Sequence, residues 1–418
     1  MRQLALAFLA IVAALTAPSC GGNGLAAEPA SRSGDASVLA YEWQGKPVLV
    51  RVDAETLETR SRALDLGQPP ISTWVRSPEG HRLALGSGDD VHVRLMFADL
   101  RPMRWVSRRD LGPRGYVAAL AWPSPRRVVA ALSGTHVEIL VVDLETGRLL
   151  AEHRLPGLVT RAARSPAGLV LLLSPNDRIG RATLALATPV GVRTATLPLE
   201  TGVSPPAVSE PGLAVSSDGR RALIVPGDAG VLEVDLRTLA VAERELSEPV
   251  SLLGRLRSWL EPTALAKGPL EGPVRSGVWI SGDHVLVAGS NYRPNGDRGT
   301  VSEAAGVRLI DTRNWSVQTL VEEASDALVA GDVLLAFGGT QGPAGLRGIG
   351  LQGFGLDGGE RFHLFEDRFV AIVAAVGQYA YVSEQSESET RVNVVDVTSG
   401  RVVRTLRKQT YFDVLQLD

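Results

Sequence analysis

The side chains that could perform acid–base or metal chemistry are spread along the sequence rather than gathered in motifs. No two histidines stand at metal-ligand spacing on one predicted element, so a zinc site is not expected. The acidic pairs Asp89–Asp90 and Glu322–Glu323 are neighbours in predicted turns, where carboxylates are usually solvated. No Gly-x-Ser-x-Gly motif of a serine nucleophile is present. The six histidines are His81, His92, His136, His153, His284 and His363.

Two loop-like stretches have a composition that could suit an ion or a phosphate. In the polar stretch 290–305, Asn295 and Asp297 could contact calcium, but the ligand spacing of a calcium loop is absent. The stretch from Gly338 to Gly350 is rich in glycine but lacks the Gly-Lys-Ser/Thr of a phosphate loop. We therefore predict no metal and no cofactor.

The reactive side chain with a clear role is Cys20, the single cysteine of the chain. Arg2 and the apolar run from Leu4 to Leu15 precede it, and a run of this length is too short to span a bilayer. Residues 1–19 are therefore predicted to be an export signal. A lone cysteine directly after such a signal resembles the lipobox of bacterial lipoproteins, which implies that Cys20 is acylated and anchors the chain.

The lipobox resemblance is incomplete. Ser19 fits the family pattern, but Ala17 and Pro18 stand where the family prefers a leucine and a small residue. The alternative is ordinary cleavage after Ala27, which would leave a soluble secreted or periplasmic protein. In either case residues 20–36, rich in Gly, Ala, Ser and Pro, are predicted to be a flexible tether.

The elements that must position any site come from one repeated unit. Its clearest copy runs from Glu138 to Arg148: an apolar strand, an Asp, a Thr-Gly turn and a returning strand. The strand-ending residues recur at intervals of 46, 44, 45, 47, 76, 46 and 39, and all but one interval is close to the period of a propeller blade. These residues are Asp53, Asp99, Asp143, Thr188, Asp235, Asp311, Asp357 and Asp396.

Each period contains four strand candidates, which in the third are Val117–Trp122, Arg127–Leu132, Val137–Val142 and Leu149–Arg154. Second strands such as Val128–Leu132 are apolar on both faces, as expected for sheets stacked face to face. The combination resembles WD40-like and YVTN-type bacterial β-propellers over residues 37–418. The resemblance implies an all-β fold, a single propeller, and little about function.

The blade count depends on how the ring closes. The unit around Asp53 lacks a first strand, and the alternating stretch from Tyr411 to Asp418 has no unit of its own. We expect this C-terminal strand to complete the first blade, which removes an exposed edge. Eight blades are favoured, and seven are the alternative.

A second resemblance is to the repeat of quinone-dependent dehydrogenases, which also use eight blades. That family has a tryptophan a few residues after the Thr-Gly, whereas Leu150, Ala242 and Val403 stand near that place here. The cofactor is therefore not expected. Trp74, Trp122 and Trp279 lie on first strands and are predicted to pack between blades.

An insertion of about 30 residues falls between Asp235 and Asp311. Apolar residues recur at helical spacing within 247–273, with two arginines opposite, which predicts a short amphipathic helix. It packs on its own blade or contacts a membrane or a partner. The residues of the possible contact are Leu252, Leu253, Arg255, Leu256, Arg257, Trp259 and Leu260.

Composition limits the function to a few classes. The chain is 44% hydrophobic, and a formal net charge of −3 gives no basic surface for nucleic acid. We predict a monomeric propeller on the extracytoplasmic side of a membrane, acting as a protein-interaction scaffold or ligand-binding module for another envelope protein. The alternative is a hydrolase or lactonase with its site in the central channel, recognisable by carboxylates or histidines that converge there.

Overall fold

Strands make up most of the chain that the computed structural model describes. The described residues are 37–43, 46–67, 71–88, 92–176, 178–227, 230–247, 271–280, 282–295, 300–342, 345–385, 390–408 and 412–415. They contain 36 strands and no helix, hence none that is long and apolar enough to cross a membrane. The short helix predicted from Leu252 to Leu260 lies outside the described residues, and the insertion ends where β21 begins at Gly272.

The strands form sheets that follow one another along the chain, numbered here from 1 to 8. Sheet 1 contains β1 (Ser37–Trp43), β2 (Pro47–Asp53), β3 (Leu64–Asp65) and, from the other end of the chain, β36 (Phe412–Leu415). Sheet 2 contains β4 (Ile71–Arg76), β5 (Arg82–Gly88), β6 (Val93–Asp99) and β7 (Arg104–Gly112). Sheet 3 contains β8 (Tyr116–Ser124), β9 (Arg127–Ser133), β10 (Val137–Asp143) and β11 (Leu149–Leu155). Sheet 4 contains β12 (Leu158–Ser165), β13 (Gly168–Ser174), β14 (Gly180–Thr188), β15 (Gly191–Ser204) and β16 (Ala207–Ser209).

The remaining sheets are built in the same antiparallel order. Sheet 5 contains β17 (Gly212–Val215), β18 (Arg221–Val225), β19 (Gly230–Asp235) and β20 (Val241–Glu245). Sheet 6 contains β21 (Gly272–Trp279), β22 (His284–Pro294), β23 (Thr300–Ala304), β24 (Val307–Asp311) and β25 (Ser316–Val321). Sheet 7 contains β26 (Asp326–Ala330), β27 (Val333–Phe337), β30 (Leu351–Gly355) and β31 (Glu360–Leu364). The hairpin of β28 (Gly339–Gly342) and β29 (Gly345–Gly348) follows β27 in the chain but extends sheet 6 by pairing with β23. Sheet 8 contains β32 (Ala371–Val376), β33 (Tyr379–Gln385), β34 (Thr390–Asp396) and β35 (Arg401–Lys408).

The core lies between the sheets, and this packing turns their succession into a ring. Each of eight buried apolar clusters joins two neighbouring sheets, and the last one joins sheet 8 to sheet 1. On β10, Leu140 and Val142 pack towards sheet 2, whereas Val137 and Ile139 pack towards sheet 4. Both faces of a central strand are therefore apolar, as predicted, and the fold is a single all-β propeller.

The turns confirm the predicted role of the repeated Asp. Asp143 Oδ1 accepts hydrogen bonds from the Thr146 amide at 3.0 Å and from its hydroxyl at 2.7 Å. Gly147 then adopts φ 65°, which an L-residue rarely does. The turns after Asp53 and Asp235 make the same bonds to their threonines, with a leucine taking the positive φ.

The ring closes as the sequence predicts, since β36 pairs antiparallel with β1 and completes sheet 1. Val414 is 1% exposed and packs between sheets 8 and 1, while Leu415 is 2% exposed and packs between sheets 1 and 2.

Two segments predicted as loops differ, because 290–305 forms most of the β22–β23 hairpin and 338–350 contains the β28–β29 hairpin. The predicted interblade tryptophans Trp122 and Trp279 are buried in such clusters.

Removal of β36 should destabilise the whole ring. A chain ending at Lys408 loses the burial of Val414 and Leu415, each worth about 1.5–3 kcal/mol, and exposes the edge of β1. We expect its free energy of unfolding, measured by urea denaturation, to fall by about 3–6 kcal/mol. A chain ending at Leu415 is the control and should match the intact protein; equal stability of the two truncated chains would contradict closure by β36.

Candidate functional site

The innermost strand of each sheet lines the axis of the ring, and these strands all begin on one face, named here the front face. Because each sheet is an antiparallel meander, the second strand ends and the third begins on that face as well. Three additions to the simple meander, β15–β16, β22–β23 and β28–β29, therefore lie on the front face. β23 and β28 also pair with each other through Ser302 and Gln341.

The centre of the front face contains an ion pair that joins three sheets. Arg161 Nη1 lies 2.7 Å from Glu210 Oε2, and the two side chains are 17% and 19% exposed. The same guanidinium donates through Nε to the Arg275 carbonyl at 3.1 Å and through Nη1 to the Thr160 carbonyl at 2.9 Å. A half-buried pair with additional carbonyl acceptors is fixed in direction far better than an exposed one.

The backbone of Glu210 is fixed too, because the chain between β16 and β17 lies against β21. The Glu210 amide donates to the Pro273 carbonyl at 3.0 Å, and the Arg275 amide donates to the Glu210 carbonyl at 2.8 Å. Val208 donates to the Glu271 carbonyl at 2.8 Å in the same ladder. The first residues of two innermost strands are thus held in register.

Arg275 is almost completely buried, at 3% exposure, beside this ladder. Its guanidinium donates to the Ser290 carbonyl and to Asn291 Oδ1, both at 2.8 Å. Gly289 makes this approach possible, since a Cβ there would lie 2.2 Å from the Val274 carbonyl oxygen and 2.9 Å from Arg275 Cδ. Arg275 therefore ties β21 to the extended part of β22.

Two tyrosines flank the ion pair from sheets 3 and 6. Enclosure raises the pKa of Tyr116, and the negative charge of Glu210 raises it further against a hydrogen bond with Ser133. Enclosure also raises the pKa of Tyr292, with added contributions from Glu210 and Asp326. Both phenols therefore stay protonated, and both feel the charge of Glu210.

Asp326 begins β26 and supplies the second carboxyl group. Its pKa is raised by desolvation, against one hydrogen bond that Ser325 Oγ donates to Oδ2 at 2.9 Å. The side chain is solvent-exposed by area, but the surrounding protein still desolvates its carboxylate. Together these side chains form what we call the mouth: Tyr116, Arg161, Glu210, Arg275, Tyr292 and Asp326.

A second polar cluster lies on the front face at sheet 3. Glu138 is 5% exposed and receives hydrogen bonds from Arg114 at 2.6 Å and from His136 Nε2 at 2.9 Å. Burial raises the pKa of Glu138, but these two partners outweigh it and the pKa is lowered. Thr135 Oγ1 lies 3.1 Å from His136 Nδ1. The cluster acts as a structural clamp.

The residues singled out from sequence do not form this site. The histidines do not meet at one place, and the described residues contain no group of three side chains that could hold a metal ion. Asn295 is described but Asp297 is not, and Cys20, Asp89–Asp90 and the stretch from Leu252 to Leu260 also lie outside the described residues. Sequence reasoning missed the mouth. A usable signal was present, however, because Tyr116, Arg161, Arg275 and Asp326 interrupt first strands near their starts.

One comparison with a solved structure, that with NirN, supports the fold. No family model matches the chain, and no curated protein does. The solved dihydro-heme d1 dehydrogenase NirN, in complex with DHE, is similar with a TM-score of 0.57 and 14% identity over 95% of this chain and 79% of that one. BamB from Moraxella catarrhalis has a TM-score of 0.48 and 12% identity over 81% and 88%. Apo AztD from Citrobacter koseri has a TM-score of 0.48 and 13% identity over 91% and 97%. Likeness at this level concerns the fold alone.

The desolvated carboxylate of Asp326 should lower the free energy of unfolding of the unliganded protein. Its pKa is raised, so the folded state is penalised above the unfolded value of 3.8, and stability recovers as pH falls through the folded pKa. Asp326→Asn should therefore raise the free energy of unfolding at pH 7, with the gain shrinking in acid.

Asp332 on the same sheet is the matched control. Its pKa is lowered by Arg361, whose Nη1 lies 2.9 Å away. Asp332→Asn should lower the free energy of unfolding at pH 7. This effect should disappear as the pH falls through the pKa of Asp332 in the folded protein. Urea denaturation between pH 3 and 7 measures both, and the same sign for the two variants would contradict the described environment of Asp326.

Proposed function

We propose that this propeller is a binding module that takes its ligand at the mouth. The observation that carries the proposal is convergence: sheets 3 to 7 each bring a polar or charged side chain to one opening. Building such a site costs desolvation at Asp326, whose charged form is disfavoured by its surroundings. A ring that served only as a rigid spacer would not need this cost. Few and well-placed polar groups are typical of recognition sites.

The rigidity of the mouth supports binding. Arg161 and Arg275 donate to backbone carbonyls, and a ladder of backbone hydrogen bonds holds Glu210. A ligand that meets such groups loses little free energy in ordering them. Three hairpins surround the opening, so a bound molecule also has a wall to contact.

We propose that the protein is located on the outer side of a membrane. The export signal at 1–19, acylation at Cys20 and the tether at 20–36 are supported by sequence alone. An acyl anchor would hold the propeller near envelope partners, and the segment from Leu252 to Leu260 precedes β21 in the sequence. We therefore propose another envelope protein, or its ligand, as the partner.

We further propose that each of the eight sheets is one blade, rather than the seven-bladed alternative. The support is the equal number of sheets and intersheet apolar clusters, in which no sheet is left outside the ring. The number of blades matters for the mouth because it determines which innermost strands lie opposite each other across the axis of the ring.

A hydrolase is the second candidate, and Asp326 is the observation that favours it. A carboxyl group with a raised pKa keeps its proton to a higher pH than an ordinary aspartate does, and it could donate that proton to a leaving group. Glu210, paired with Arg161, would be the second carboxylate. Loss of a hydrolytic activity in Asp326→Asn with substrate binding intact would favour this candidate over a binding module.

Photo-crosslinking at two matched positions tests the binding proposal. Tyr116 at the mouth is 42% exposed, and Leu150 on the outer part of the same sheet is 45% exposed. We expect a photoreactive phenylalanine in place of Tyr116 to capture one predominant species in host envelopes, and the same residue at Leu150 to capture none. Equal capture at both positions would contradict a site at the mouth.

The same experiment tests acylation at Cys20 separately from binding at the mouth. The Cys20→Ser chain should leave the membrane fraction and lose metabolically incorporated fatty acid, while its purified propeller keeps the ability to capture the species at position 116. A fatty acid label that persists in Cys20→Ser would contradict acylation at that residue.

A further inference from the structure

β35, at the outer edge of sheet 8, is the most exposed of the outer strands that the structure describes. It is the last strand of its sheet, and no described strand pairs with its outer side. From Arg401 to Arg407 every residue is exposed except Leu406, which is half-buried. In β11, the outer strand of sheet 3, every second residue is half-buried instead. β35 therefore presents a row of outward-pointing backbone donors and acceptors to solvent.

The two neighbouring sheets leave β35 uncovered. On one side, β3 is the outer strand of sheet 1, but it has only two residues and contributes none to the cluster between sheets 8 and 1. On the other side, the cluster between sheets 7 and 8 contains no residue of β35. Val402 and Val403 consequently remain 40% exposed each. The shortness of β3 thus leaves an apolar surface open beside an open strand edge.

The exposed strand is nonetheless fixed in an extended form. Its backbone pairs with β34 over the whole strand, with one bulge at Val403. Thr405 Oγ1 donates a hydrogen bond to Asn393 Oδ1 at 2.7 Å, and Asn393 is 3% exposed. The turn before β35 lies against sheet 7, since a Cβ on Gly400 would be 2.6 Å from Phe362 Cβ. A strand that is already extended and held in place loses little free energy in accepting another strand.

The charges on β35 are all of one sign, in a chain whose formal net charge is −3. The basic residues are Arg401, Arg404, Arg407 and Lys408. The pairing with β34 places Arg404 on the face towards sheet 1 and Arg407 on the face towards sheet 7, so an added strand would meet a positive charge on each face. Like charges disfavour pairing of this edge with the same edge of a second copy. They favour an acidic strand instead.

We propose that β35 binds an extended acidic segment of a partner protein, which adds to sheet 8 as a further strand. The backbone of β35 supplies main-chain hydrogen bonds, as in other cases of strand addition. Arg404 and Arg407 meet carboxylates of the segment, and Val402 and Val403 contact its apolar side chains. This surface lies on the outer rim of the ring, and it goes beyond the binding proposed at the mouth.

Fluorescence anisotropy with the full-length protein tests the charge preference. The probe is a short labelled peptide of alternating glutamate and valine, and the control is the same peptide with lysine in place of glutamate. We expect the glutamate peptide to bind and the lysine peptide not to bind. Arg404→Glu should weaken binding of the glutamate peptide about tenfold, because it replaces attraction by repulsion.

Arg220→Glu is the matched control, since it makes the same charge change at an arginine of sheet 5 whose side chain is 82% exposed. It should leave binding of the glutamate peptide unchanged. Equal binding of the two peptides, or equal weakening by the two substitutions, would overturn an acidic guest at β35.

Strand addition is tested separately from charge attraction. A glutamate peptide that is N-methylated at every backbone amide keeps its charges but has no amide donors, so we expect it not to bind. Binding of the unmethylated peptide should slow hydrogen exchange of the β35 amides and leave exchange in β20, the outer strand of sheet 5, unchanged. Binding that survives full N-methylation, or that leaves exchange in β35 unchanged, would overturn strand addition.

The alternative occupants of this edge are the tether of the same chain and a second copy. If a chain that begins at Ser37 binds the peptide more tightly than the full-length chain, the tether occupies the edge. If the peptide dissociates a dimer, a second copy occupies it. Either result would overturn the proposal of a partner protein. Capture at position 116 should be the same in Arg404→Glu, so failure at β35 is distinguishable from failure at the mouth.

Discussion

Apolar packing between neighbouring sheets is the interaction on which the rest of this structure depends. No single sheet could bury both of its faces alone, and in the ring each cluster is shared by two sheets. The consequence is that the chain must close: an open ring would leave two apolar faces in water. β36 meets this requirement, because it returns to the first sheet and places Val414 and Leu415 in two different clusters.

A closed ring also determines where polar chemistry is possible. Its interior is filled by Val, Leu, Ile and Ala, so polar groups are directed to the ends of the innermost strands. On the front face the hairpins and the β16–β21 ladder bring these ends together around Glu210. The stability supplied by the clusters can then offset the desolvation of Asp326, a group that gains nothing from folding by itself.

Local and periodic features were predictable from sequence, whereas the convergence of distant side chains at the mouth was not. The turn at Asp143 depends on three neighbouring residues, and the four strands of sheet 3 agree with their predicted bounds to within two residues. The hairpin after Ser290 escaped prediction because its polar residues lack a buried face, and backbone pairing together with the Arg275 side chain keeps it extended. Arg161 and Glu210 meet across 49 residues, and no local pattern specifies such a contact.

The most direct test of the mouth is an NMR titration of ring-labelled tyrosines in the intact protein and in Glu210→Gln. Glu210 raises the pKa of Tyr116 from sheet 3 and of Tyr292 from sheet 6. Because removal of its negative charge favours both phenolates, both pKa values should fall in the variant. The pKa of Tyr379, which is raised by enclosure and by Glu55 on the opposite face, should not change. If neither Tyr116 nor Tyr292 responds, the two sheets do not meet at Glu210, and the account of the mouth is wrong.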